Sequence, residues 1–278
     1  MKLFDGCLLA CDLDGTLVFG DKVPERNKSL IKYFTDEGGI FSVATGRSIL
    51  AVDCVLEGLD FIGPSVFTNG SFIFDYSKKE TLHQYVIDKQ CNSVIKKVIE
   101  MNEGVGIEAH SDGKVYVAKN STAMQLHTDY EEIDVIYTTV DDVIKMPLNK
   151  VLFIPDNQEC VAEITETLKE LNLNCDFINS SATMYGEFYV LIEMLPKNVN
   201  KAVALEFLKN KFSIEKGNFF AIGDYYNDMA MIKAADIGAA TDEAPDEVKA
   251  TADFVAGTAS CGAVADFIEY LIELKKGC

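Results

Sequence analysis

Along the first eighty residues, short continuous apolar runs alternate with amphipathic stretches. Cys7-Leu8-Leu9-Ala10-Cys11 is apolar throughout, the pattern of a strand covered on both faces. Residues 24–37 carry helical spacing, with Pro24 in the first turn and Gly38-Gly39 as the stop. Residues 40–44 form a second buried run, 47–56 predict a helix, and 65–68 predict a third short strand. Such alternation predicts a parallel sheet with right-handed crossovers.

The pattern changes near residue 72. Residues 72–74 and 82–87 flank the polar turn Ser77-Lys78-Lys79-Glu80 and read as a hairpin. A helix over 89–101 follows, then strands at 106–109 and 114–118 joined by Ser111-Asp112-Gly113. A strand at 150–154, a helix over 157–171 and a strand at 175–178 complete an α+β stretch. From Tyr189 the first style returns, with a strand at 189–193, a helix at 201–211, a buried strand at 219–222 and a closing helix at 263–275. The expected organisation is an α/β core formed by residues 1–82 and 189–278, interrupted by an inserted domain at 83–188.

Charge narrows the partners. The 278 residues carry a formal charge of −19, which argues against nucleic acid and against an anionic membrane surface. The insert holds 8 lysines, no arginine and 18 acids, a net of −10, so it carries the denser negative charge. Eight scattered cysteines without a C-x-x-C predict free thiols, and the N-terminus lacks a secretory pattern. The expectation is a cytoplasmic protein, a monomer or weak homodimer, that binds a small metabolite. Arginine occurs only at 26 and 47, and histidine only at 83, 110 and 127. The histidines all lie at or within the insert and read as surface or hairpin residues.

Four strand ends carry chemistry. Asp12-Leu13-Asp14-Gly15-Thr16 follows the first buried strand; two carboxylates there repel each other unless a hard cation offsets them, and Gly15 permits the tight turn. Thr45-Gly46-Arg47 follows the second strand at an expected helix start, where free N–H groups and a hydroxyl suit phosphate. Lys201 opens a helix and can neutralise phosphate charge; Lys197 competes for the same role, and spacing does not separate them. Gly223-Asp224-Tyr225-Tyr226-Asn227-Asp228 places two more acids four residues apart after a buried strand. Tyr185 and Tyr226 read as buried packing residues.

These motifs, in this order, resemble the haloacid dehalogenase superfamily, and within it the Cof-type sugar-phosphate phosphatases. Asn69-Gly70 after the third strand, the insert before Lys201 and the Gly-Asp-x-x-Asn-Asp motif carry the closer likeness. The resemblance implies a Rossmann-like parallel-sheet core with an inserted α+β cap that selects the substrate, hinged near 81–86 and 186–190. It implies Asp12 as nucleophile and Asp14 as general acid and base. It implies Mg²⁺ held by the Asp12 side chain, the Asp14 main-chain carbonyl, Asp224 and Asp228. Thr45, Gly46 and Lys201 then hold phosphate, with Arg47 and Asn227 on the substrate side; the choice of Lys201 over Lys197 rests on this likeness. The implied activity is hydrolysis of small phosphate monoesters, sugar phosphates foremost, with a phosphomutase or a phospho-ligand-binding regulator as alternatives. Glu243 departs from the pattern, standing where the family carries asparagine, which opens a pairing with Lys201.

Overall fold

The apolar run at residues 7–11 becomes strand β1 (Leu8–Cys11), buried at every position. The structure, a computed structural model, describes residues 2–20, 22–56, 59 and 62–277, the side chains of Asp53 and Cys54 excepted. Helix α1 (Glu25–Asp36) follows Pro24 and stops where Gly38 takes a φ of +91°. Strand β2 (Ile40–Val43) lies parallel to β1, with Cys11 opposite Val43.

The helix expected at 47–56 is shorter. Ser48 Oγ accepts the Ala51 N–H, so helical bonding begins only in a 3₁₀ turn at Leu50–Val52 and passes into α2 (Asp53–Leu56). Strand β3 (Pro64–Phe67) meets the first sheet through a single parallel bridge, Ala44 to Val66. It pairs antiparallel with β4 (Phe72–Asp75), which neighbours β5 (Glu80–Gln84). The third strand therefore turns straight back at Thr68–Gly70 instead of leading into a crossover helix.

The chain divides into two units, one of Met1–Arg47, Asp53–His83 and Asn200–Cys278, the other of Ser48–Val52 and Gln84–Val199. In the second unit, α3 (Val94–Met101), β6 (Val105–Ser111), β7 (Lys114–Lys119), α4 (Thr122–Glu131), β8 (Val135–Tyr137), α5 (Val140–Val143), β9 (Lys150–Pro155), α6 (Val161–Glu170), β10 (Cys175–Met184) and β11 (Glu187–Pro196) follow one another. The sheet order is β10-β11-β9-β6-β7-β8. One sheet face is apolar: Ile107, Ala109, Val151, Phe153, Ile192 and Met194 pack with α3 and α6 side chains such as Ile95, Val98, Ile164 and Leu168.

Three expectations change here. The strand predicted at 189–193 to reopen the core lies inside β11, which pairs antiparallel with β10 and β9, so the first unit resumes at Asn200. The hinge expected at 186–190 likewise falls in the β10–β11 hairpin, and the chain passes between units at His83/Gln84 and Val199/Asn200. His110 and His127 are buried, not superficial. Alternation along β6 sends Glu108 and His110 to one face, where His110 Nε2 lies 2.8 Å and His127 Nε2 3.7 Å from the Glu108 carboxylate. Lys150 and Glu193, 3.2 Å apart, are buried as well, and Ser180 donates to Glu193 at 2.6 Å. His83, in contrast, stacks on Phe207 at 4.7 Å.

Back in the first unit come α7 (Lys201–Lys211), β12 (Phe219–Gly223), α8 (Met229–Ala234), β13 (Ile237–Ala240), α9 (Asp246–Lys249), β14 (Phe254–Val255) and α10 (Ala263–Gly277). The sheet β14-β13-β12-β1-β2 is parallel throughout, with Cys11 opposite both Ile222 and Val43. The carboxyl ends of β1, β2 and β12 thus share one edge, where a parallel sheet leaves room for a ligand. Arg26 of α1 pairs with Asp266 and Glu269 of α10. Cys7, Cys11, Cys91, Cys160, Cys175 and Cys261 are free, while Cys278 and the Cys54 side chain lie outside the described residues. No helix of the described residues is long and apolar enough to cross a membrane.

Candidate active site

Asp12 continues the ladder past β1, its N–H donating to Ile222 O at 2.9 Å. That bond fixes the Asp12 backbone beside the end of β12. Lys201, the first residue of α7, is 1% exposed and donates to Asp12 Oδ1 at 2.5 Å and to Asp228 Oδ1 at 2.7 Å. Lys197, the rival choice, pairs with Asp176 within the second unit, so geometry separates what spacing left open. The other Asp228 oxygen accepts the N–H groups of Asp224 and Tyr225 at 3.1 and 3.2 Å, closing the 3₁₀ turn that leads into α8. Asp228 is thereby both a local cap and a partner of Lys201.

Asp12, Asp224 and Asp228 each bring a carboxylate oxygen within 4.8 Å of the others. Thr16 Oγ donates to Asp224 Oδ1 at 3.2 Å, a positioning contact that the motif contained but spacing gave no reason to select. Burial pushes the Asp12 carboxyl well above its ordinary range; Asp228 adds to that, and Lys201 pulls it partly back. Burial and then Asp228 push Asp224 up to about 6. Burial disfavours the Lys201 ammonium, but the Asp12 and Asp228 carboxylates outweigh it and raise its pKa. One ammonium, paired with Asp12 and Asp228, stands against three clustered acids, two of them buried, so the cluster lacks positive charge.

A hard divalent cation fits that deficit. All three donors are carboxylate oxygens, the ligand chemistry such an ion takes. Gly15 lets the Asp224 carboxylate approach the loop closely: a Cβ there would stand 2.5 Å from Asp224 Oδ2. Gly15 also holds a φ of +76°, so glycine meets both conditions at once.

The Asp14 side chain is not part of this acid group. Arg47 grips it in a two-pronged fork, Nε to Oδ2 at 2.9 Å and Nη2 to Oδ1 at 2.7 Å. Thr45 is buried and its hydroxyl accepts the Arg47 N–H at 3.1 Å. Residues 45–47 form a bend, so the helix-dipole contribution expected there is missing. Gly46 lies against Asn69, whose Oδ1 would sit 3.0 Å from a Cβ at position 46. Asn227 is exposed. Tyr225 and Tyr226 are exposed by about half and meet edge-on at 5.0 Å, and Tyr185 is two-thirds exposed, so neither Tyr226 nor Tyr185 is a core residue. Glu243 does not reach Lys201; it accepts the Ala259 N–H at 2.9 Å and tethers the loop before α10.

Known proteins similar to this chain point to one family. Two Bacillus subtilis (strain 168) proteins are similar along nearly the whole chain. One is the 5-amino-6-(5-phospho-D-ribitylamino)uracil phosphatase YcsE, 27% identical over 270 residues that cover 95% of each chain. The other is the phosphatase of the same name YwtE, 26% identical over 285 residues that cover 95% of this chain and 97% of that one. The crystal structure of a haloacid dehalogenase-like hydrolase from Bacteroides thetaiotaomicron superposes with a TM-score of 0.81 at 24% identity, covering 95% of this chain and 99% of that one. The family model described as haloacid dehalogenase-like hydrolase matches residues 9–268, and with the parallel core and its strand-end acids in place, the chain belongs to that family.

Proposed function

We propose that the chain is a Mg²⁺-dependent phosphatase of small phosphate monoesters, with sugar phosphates the preferred class. The carrying observation is the strand-end cluster, in which Asp12 meets Lys201 at 2.5 Å beside two further carboxylates. The names of the two Bacillus relatives support the reading, since their substrate bears one phosphate on a ribityl chain. A neutral, hydroxyl-rich body with a single phosphate also suits a second unit rich in acids and without arginine.

Hydrolysis runs in two displacements. An Asp12 carboxylate oxygen attacks phosphorus, forming an O–P bond as the ester O–P bond breaks. Asp14 gives its proton to the departing alcohol oxygen, then takes one from the water that cleaves the aspartyl phosphate. The Thr45 hydroxyl and the Lys201 ammonium hold phosphoryl oxygens in both displacements. Asp12, Asp224, Asp228 and the Asp14 main-chain carbonyl would hold Mg²⁺, which when bound offsets phosphoryl charge. In the structure both Asp14 oxygens accept from Arg47, so the fork opens, with Arg47 turning to the substrate, before Asp14 carries the proton it gives. In this reading the second unit selects the substrate body.

Asp12→Asn tests the assignment. Turnover of p-nitrophenyl phosphate should vanish while circular dichroism and melting temperature stay near wild type. A variant that keeps its turnover would remove Asp12 as nucleophile.

A further inference from the structure

Thr68, Asn69 and Gly70 hold φ values of +48°, +55° and +108°, three consecutive left-handed residues. A β-branched residue in that region is strained, at a cost of about 1–3 kcal/mol, and persists only where its surroundings over-determine it. The surroundings here are two elements of the site. On one side the Thr68 N–H donates to Arg47 O at 2.9 Å and the Asn69 N–H to Thr45 O at 3.1 Å. The bend that carries Thr45 and Arg47 is therefore tied at both ends to this turn. On the other side Gly70 is pressed against Asn200, whose carbonyl oxygen would lie 2.3 Å from a Cβ at position 70.

Asn200 is the residue before Lys201 and the cap of α7. Its Oδ1 accepts the Val203 N–H at 3.1 Å, and its carbonyl accepts the Ala204 N–H at 3.2 Å. Any shift of that carbonyl carries the first turn of α7 with it, and Lys201 is in that turn. We propose that the Thr68–Gly70 turn is the spacer that sets the distance between the Thr45–Arg47 bend and Lys201, making Asn69 and Gly70 positioning residues for phosphate capture. The proposal rests on the phosphatase reading above. It accounts for the left-handed run, which presents two N–H groups to the bend and a bare Cα to Asn200.

Gly70→Ala is the direct probe. Its methyl group must displace the Asn200 carbonyl, and a displacement on the order of 1 Å at a catalytic group costs about 100-fold in rate. With p-nitrophenyl phosphate and Mg²⁺, at a temperature where both proteins are folded by circular dichroism, kcat should fall about 100-fold. Inhibition by orthovanadate, a phosphoryl mimic, should weaken about tenfold. A purely structural role would lower the melting temperature and leave both readouts near wild type in the folded protein, which would overturn the proposal. If Gly70→Ala does not fold, the Asn69 pair decides. Asn69→Gly keeps the left-handed backbone and should stay within about threefold of wild type, whereas Asn69→Ala opposes it and should lose about tenfold. Equal activities for the two Asn69 variants also overturn it. A wild-type protein without turnover would instead defeat the phosphatase reading, so the two failures are distinct.

Discussion

Each unit buries a cluster of ionisable side chains, and the two are balanced in opposite ways. In the first, the Lys201 ammonium pairs with Asp12 and Asp228 and not with Asp224, and Asp12 and Asp224 are driven toward protonation. In the second, burial alone would raise Glu108, but His110, His127 and Lys150 reverse this and hold it down at about 2. Lys150 also pairs with Glu193, which takes a further bond from Ser180. Both clusters are costly to desolvate. The second offsets its charge with its own cations, with Glu108 Oε2 and His127 Nδ1 left without a hydrogen-bond partner among the described residues, while the first leaves its charge for a ligand to offset. An acid cluster short of cations is the one expected to work on an external group, and the charge-balanced one is expected to hold structure.

The largest effect should come from removing the one cation of the first cluster. Lys201→Met should lower kcat by at least about 100-fold, as loss of a preorganised charge donor does. A folded Lys201→Met protein with wild-type turnover would end the distinction. Next comes the ion itself. Chelation should abolish turnover, and Mg²⁺ at about 100 times its Kd should raise unfolding stability by roughly 2.7 kcal/mol. Asp224→Asn should lose most of that gain, and Lys150→Met should retain it; calorimetry with and without Mg²⁺ reads both.

The second cluster predicts effects on stability without effects on rate. Lys150→Met leaves Glu193 without its ammonium and should cost about 3 kcal/mol, with kcat of the folded protein unchanged. Loss of turnover in folded Lys150→Met would show that the two clusters are not separate in function. Acid titration sharpens the same point. Glu108 lies below its ordinary value of 4.5, so its contribution is complete above pH 4.5 and disappears as pH falls toward about 2. That window should carry roughly 3 kcal/mol of unfolding free energy, and Glu108→Gln should flatten it. The smallest effect is Ser180→Ala, about 2 kcal/mol, for one hydrogen bond to a charged group.

What was legible in the sequence follows the same division. Asp12, Asp224 and Lys201 each stand beside an apolar segment, and a parallel sheet converts strand ends into neighbours whatever lies between them. The run at 189–193 misled because an apolar strand looks alike in either sheet; only its pairing with β10 and β9 assigns it. Glu108 and His110 alternate as a half-exposed strand would, and the burial of His110 and His127 arises only in tertiary packing. The Arg47 fork joins residues 33 apart, beyond any local spacing rule. The left-handed run had a visible trace in Asn69-Gly70, but its contact with Asn200 spans the whole second unit in sequence.

The tyrosine pair beside Asp224 has an optical consequence. The chain has eleven tyrosines and no tryptophan, so its near-ultraviolet emission is not masked by indole. Tyr225 and Tyr226 are half-exposed, edge-on to each other, and begin one residue after a carboxylate of the acid cluster. An ion seated on Asp224 would change the field at those two rings. Mg²⁺ titration should therefore change tyrosine emission if the ion seats on Asp224, and Tyr225→Phe and Tyr226→Phe would identify which ring reports it.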